Sequence, residues 1–108
     1  MRPKEPEDPD LVRLRVSNKM RAERPDAPAF YTYPVVVAVH AMARGEANPH
    51  QQTEVLKWIL EFVAGVNEHQ FYPDDRMTAF SLGRKFVGDQ IIKVSKLDLS
   101  KLRSNEHG

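Results

Sequence analysis

The chain has 108 residues, 41% of them hydrophobic and 29% charged, with eight prolines, no cysteine and a formal net charge of +1. That length allows one domain with a modest core. Lack of Cys excludes disulfide scaffolds, thiol nucleophiles and Cys-based zinc sites, and no apolar run approaches the roughly 18 residues of a membrane span.

The opening MRPKEPEDPD has no apolar segment of the kind that marks a secretory leader, so the expectation is a soluble chain. Pro3, Pro6 and Pro9 alternate with charges and read as an extended arm. In residues 11–24, Val12, Leu14 and Val16 alternate with Arg13 and Arg15 at strand period, whereas Asp8 and Pro9 have the order of an N-cap and first helical residue. A short helix within 9–23 and an arm that adds to a partner both satisfy these signals. Residues 25–33, PDAPAFYTY, form a connector in which Pro25 and Pro28 block a helix and Phe30, Tyr31 and Tyr33 offer an aromatic patch for a partner.

Three punctuated helices are expected next. The first runs from Pro34 to Arg44 and is closed by Gly45, although Val35, Val36 and Val37 have poor helix propensity and a strand from Tyr33 to Val39 competes. The second starts at Asn48, with Pro49 at its first position and Gln51 completing a capping box, and stops at Gly65. Its stripe includes Val55, Leu56, Ile59, Leu60, Phe62 and Val63, and Trp58 beside it reads as a core anchor. The third is capped by Asp74 or Asp75 and runs from about Arg76 to Lys96. At 100° per residue, Phe80, Gly83, Val87, Ile91 and Val94 share one side, which should be the core side, with Lys85, Lys93 and Lys96 roughly opposite. Asp98 can cap a last turn over Leu99–Leu102.

Charge is segregated along the chain. Residues 25–75 sum to −5 and residues 76–103 to +5. The two regions can attract within a chain or between copies, and the basic end can meet a polyanion. Candidate partner or nucleic-acid contacts are Arg84, Lys85, Lys93, Lys96, Lys101 and Arg103.

Catalytic chemistry finds little support. His40, His50, His69 and His107 lack the spacing that places two ligands on one helix face. Ser81, Ser95 and Ser100 lack the surroundings of a nucleophile elbow, and Asp74 and Asp75 are explained by helix capping. No enzyme, cofactor or metal is expected. Gly83 and Gly88 each cost about 1 kcal/mol inside a helix relative to Ala, so they are read as points of close helix or partner approach.

Residues 45–97 carry a recognisable set: Gly45, then Pro49-His50-Gln51-Gln52, Leu56-Lys57-Trp58-Ile59, Phe71-Tyr72-Pro73, Thr78-Ala79-Phe80 and Gly83-Arg84-Lys85-Phe86-Val87-Gly88. This set resembles a family of small, largely uncharacterised tailed-bacteriophage proteins. That family is typified by a QQ…LxWI helix followed by a TAF…GRR.VG helix. Lys85 stands where the second Arg of that stretch is usual, and residues 1–44 lie outside the resemblance. It implies an interaction module encoded beside head and packaging genes, with no established catalytic residues.

Together these readings predict a small all-α bundle of about three helices. Residues 1–29 would be an extended Pro-rich arm and connector, 30–103 the helical domain and 104–108 a polar tail. The expected role is virion assembly, in the virion or the host cytoplasm, with phage structural proteins, and in some readings DNA or further copies of the chain, as partners. The alternatives are a packaging component similar in role to a small terminase subunit and a helical DNA-binding regulator.

Overall fold

The computed structural model describes residues 7–107, with side chains through Arg103. It contains α1 (Pro9–Glu23), α2 (Tyr33–Ala43), α3 (Pro49–Trp58), α4 (Asp75–Ser95) and α5 (Leu99–His107), and a π-helical turn, Ile59–Val63, continues α3. The all-α class is as expected, and no strand occurs among the described residues. Among the described residues the helices number five rather than about three, and α5 runs through the stretch expected to be a polar tail.

Side-chain oxygens at the helix starts take up N–H groups that have no partner within the helix. Asp8 accepts from Asp10 N at 2.9 Å and Thr32 from Val35 N at 3.3 Å. Asn48 and Gln51 form the expected capping box, with reciprocal bonds of 2.8 and 3.0 Å. Asp74 accepts from Arg76 N at 2.8 Å, and Asp98 from Ser100 N at 2.9 Å. Gly45 and Gly65 take positive φ, +71° and +62°, at the ends of α2 and of the π turn, where a Cβ would be strained.

The extended arm is corrected in part. Residues 1–6 lie outside the described residues, but Pro9–Glu23 is helical. The cap, Pro9 at the first turn and the Asp10–Arg13 pair at 2.6 Å all favour a helix over the strand-period alternation. The α1 helix is also tied to the rest of the chain through Arg21. Removing residues 1–24 is therefore expected to destabilise the remainder.

The Val-rich α2 is helical because it buries Ala38 and Ala41 and packs chiefly on α3, which outweighs β-branched propensity. In the π turn, Ala64 N bonds to Ile59 O at 2.7 Å, a five-residue step. The extra residue precedes Ala64 and Gly65, both buried. Buried apolar residues are few and mostly small: Ala27, Ala38, Ala41, Val55, Ala64 and Tyr72. The radius of gyration is 18.1 Å, against about 13 Å for a compact domain of this length.

The core side of α4 is a second correction. Phe80, Val87 and Val94, expected inside, are 50%, 57% and 64% exposed. The buried positions are Ser81 and Gly88, about a quarter-turn or more round the helix. Apolar periodicity misplaces the face because Ser81 and Arg84 on the inner side find hydrogen-bond partners there, and glycine permits the close contact. A Cβ at Gly88 would stand 2.5 Å from Val66 Cγ1 and 2.7 Å from Ala64 Cβ. A Cβ at Gly83 would meet nothing within 4 Å among the described residues. The close intrachain approach therefore belongs to Gly88 and not to Gly83, the glycine that periodicity places on the core side.

Candidate interaction surfaces

A polar cluster joins α1, the loop before α4 and α4 itself. Arg21 Nη1 donates to Glu68 Oε2 at 2.7 Å and Arg84 Nη2 to Glu68 Oε1 at 3.2 Å, so one carboxylate serves two buried guanidiniums. Arg84 Nη1 also reaches Pro25 O at 3.2 Å, and Tyr72 Oη donates to Arg21 O at 2.9 Å. Ser81 Oγ donates to Gln70 Oε1, while Gln70 Nε2 donates to Gly65 O at 3.1 Å. The Nε of Arg21 and of Arg84 are buried without a partner among the described residues. Burial pulls the Arg21 guanidinium below its usual value; the Glu68 carboxylate opposes this and the Arg84 charge adds to it. Two cations around one anion hold three chain segments together.

This cluster takes Arg84 out of the basic ridge. Lys85 is half-buried and paired with Asp89 at 2.8 Å across one helical turn. Lys93, Lys96, Lys101 and Arg103 remain exposed. Among the described residues no three His, Asp or Glu side chains gather to hold a metal ion. His69 lies against the Tyr72 ring at 4.8 Å, and His50 faces Glu54 at 3.5 Å on an exposed turn.

The aromatic connector is divided. Phe30 packs edge-on to Phe62 at 5.1 Å, and its carbonyl accepts from Trp58 Nε1 at 2.6 Å. Tyr31 lies under the Arg13 guanidinium at 5.5 Å. Tyr33 is 72% exposed and is the connector aromatic most open to a partner. Trp58 is half-buried and anchors the connector to α3. Trp58→Phe keeps most of the ring packing but leaves the Phe30 carbonyl without its donor, and is expected to cost about 1–2 kcal/mol in a urea melt. A loss below a few tenths would mean that water replaces the indole at no cost.

Two apolar faces are left in water. On α1, Leu11, Val12, Val16 and Met20 are exposed, and a cleft of about 250 Å³ runs from Val12, Val16 and Met20 to Pro28 and Phe30. On α4, Phe80, Phe86, Val87 and Val94 are exposed, followed by Leu97 and Leu99 beyond its end. Sequence reasoning missed the α1 face, although Val12, Val16 and Met20 repeat every four residues and are a helical stripe once the strand alternation is set aside. It also missed the Arg21–Glu68–Arg84 cluster. Arg21 and Glu68 stand 47 residues apart, and no local pattern joins them. No protein-family model, curated protein or solved structure matches the chain.

Proposed function

We propose that this chain is a non-enzymatic assembly protein, a structural or accessory component that docks on a larger particle. The observation that carries this reading is the apolar face of α1, with Leu11, Val12, Val16 and Met20 in water. The chain's own interior is built mostly from small residues and a polar cluster. Contiguous apolar surface of this kind marks an interaction site more often than it occurs by chance on a monomer. The tailed-phage head as the setting rests on the resemblance of residues 45–97 and on nothing else.

Docking is tested by Val12→Asp with Val16→Asp. Both positions are exposed, so thermal melting is expected to stay within a few degrees of the parent while incorporation into particles is lost. The setting is tested by mass spectrometry of purified virions of a phage encoding the chain. A fixed copy number per particle is expected, and absence from the particle would sink the virion reading. DNA binding is the second reading, favoured by exposed Lys93, Lys96, Lys101 and Arg103. Four phosphate contacts would give a log–log salt slope of about −4. On the docking reading, fluorescence anisotropy shows no binding to duplex DNA at physiological salt.

A further inference from the structure

The first helix is joined to the rest of the chain at few points. It buries no apolar side chain, and its one buried residue is Arg21. The close helix packing is that of α2 on α3 and of α4 against the π turn, and α1 takes part in neither. Clefts lie along both of its flanks. The one of about 250 Å³ opens toward Pro28 and Phe30, and a second, of about 380 Å³, is lined by Ser17 and Ala22 of α1 together with Phe62 and His69. Among the described residues three hydrogen bonds cross from α1 to the body. Two belong to Arg21, whose Nη1 donates to Glu68 at 2.7 Å and whose carbonyl accepts from Tyr72 Oη at 2.9 Å. The third, from Arg13 Nε to Tyr31 O, is exposed and long at 3.4 Å.

The link after α1 is fastened to the body. Pro25 is fully buried and its carbonyl accepts from Arg84 Nη1 at 3.2 Å. Arg24, just before it, is exposed and extended at φ −137° and ψ 108°. A rotation of the chain at Arg24 therefore moves α1 and leaves Pro25 in place. When α1 leaves, Glu68 keeps its bond to Arg84 at 3.2 Å, so the body retains an ion pair of its own. Water also reaches the Arg21 Nε that is buried without a partner, which offsets part of the lost bond.

We infer that α1 is a latched arm. It opens from the body as one unit about Arg24 while α2, α3 and α4 stay folded, and the Arg21–Glu68 pair is the latch. Opening frees Leu14 and Ser17, half-buried on the inner side, and adds them to the exposed stripe of Val12, Val16 and Met20. A partner that binds the freed helix better than the latched one draws it out without unfolding the body. This goes beyond the docking reading and does not depend on it, because opening is a property of the free chain.

Native-state hydrogen exchange of the full chain tests it amide by amide. A detached helix of 15 residues is marginal in water, so its amides exchange once it is off the body. The amides from Arg13 to Arg24 are expected to share one opening constant and to exchange at least about tenfold faster than the slowest amides of α3 and α4. Gly88→Ala strains the contact of α4 with Ala64 and Val66 and touches nothing in α1. It is expected to speed the slowest α3 and α4 amides at least about tenfold while α1 stays within about twofold of the parent, since the body is equally strained whether α1 is closed or open. Val55→Ala, which trims the buried apolar side chain of α3, is the second body variant and carries the same expected pattern. Arg21→Ala removes the latch and is expected to speed α1 at least about tenfold. Protection that falls off progressively from one end of α1, an α1 that speeds in step with α3 and α4 in the body variants, or an Arg21→Ala protein whose α1 exchanges as slowly as the parent's would each overturn the proposal.

Discussion

Glu68→Ala is expected to be the most damaging single substitution in this chain, at about 3 kcal/mol. The carboxylate is the one anion between Arg21 and Arg84, whose side chains are only 9% and 10% exposed. Removing it leaves two buried guanidiniums facing each other, and breaking a buried pair in this way costs about 3–5 kcal/mol. Glu68 itself keeps 26% of its exposure, so water enters more easily and the lower end applies. The loss is large against the roughly 5–15 kcal/mol that holds a small domain together, and this chain has few large side chains inside it. Arg21→Met provides the comparison, since it removes one cation while Glu68 keeps Arg84, and it is expected to cost less than Glu68→Ala. Urea unfolding with the two variants in parallel measures both. A Glu68→Ala loss below 1 kcal/mol, or an Arg21→Met loss that exceeds it, would show that the cluster does not hold α1 to α4.

The two α4 glycines are expected to respond in opposite directions. At Gly88 an added Cβ meets Val66 Cγ1 and Ala64 Cβ at 2.5 and 2.7 Å. The Val66 methyl can turn away, but Ala64 Cβ moves only with its backbone. Overpacking of that kind costs about 1–3 kcal/mol, here near the upper figure, and the helix-propensity gain of about 1 kcal/mol offsets only part of it. The net expectation is a loss of about 2 kcal/mol for Gly88→Ala. At Gly83 the added methyl enters open space, only the propensity gain remains, and Gly83→Ala should stabilise the monomer by about 1 kcal/mol. For a domain near 100 residues, 1 kcal/mol moves the melting temperature by roughly 4–8 °C, so dilute thermal melts separate the variants without ambiguity. Equal shifts at the two positions would mean that α4 is not packed on Ala64.

Local signals alone were sufficient for most of the helix boundaries. Asp8, Asn48 and Asp74 cap the helices that their positions imply, Pro9 and Pro49 sit in first turns, and Gly45 and Gly65 stand at the ends. These are local effects, since a cap acts within four residues and a proline or glycine acts on its own dihedral angles. The competition between strand and helix in Val12–Val16 and Val35–Val37 was not settled by propensity. It was decided by hydrogen-bonded caps and by burial of Ala38 and Ala41 on α3.

What only the tertiary structure decided is which side of each helix faces inward. Apolar pattern assigns Phe80, Val87 and Val94 to the core of α4 because it counts the water each side chain would avoid and takes no account of hydrogen bonds. In the folded chain Ser81 and Arg84 are inside, where Gln70, Glu68 and the Pro25 carbonyl accept from the Ser81 hydroxyl and the two Arg84 Nη groups. Gly88 is inside because nothing larger fits beside Ala64. Those partners come from segments up to 59 residues away along the chain, a separation that no window of helical periodicity spans. The sequence by itself determined an all-α chain, its helix starts and its segregated charge. The packing of the 64–74 loop between α1 and α4 decided which apolar surface is hidden and which is left for a partner, because it supplied the hydrogen bonds that let polar residues go in.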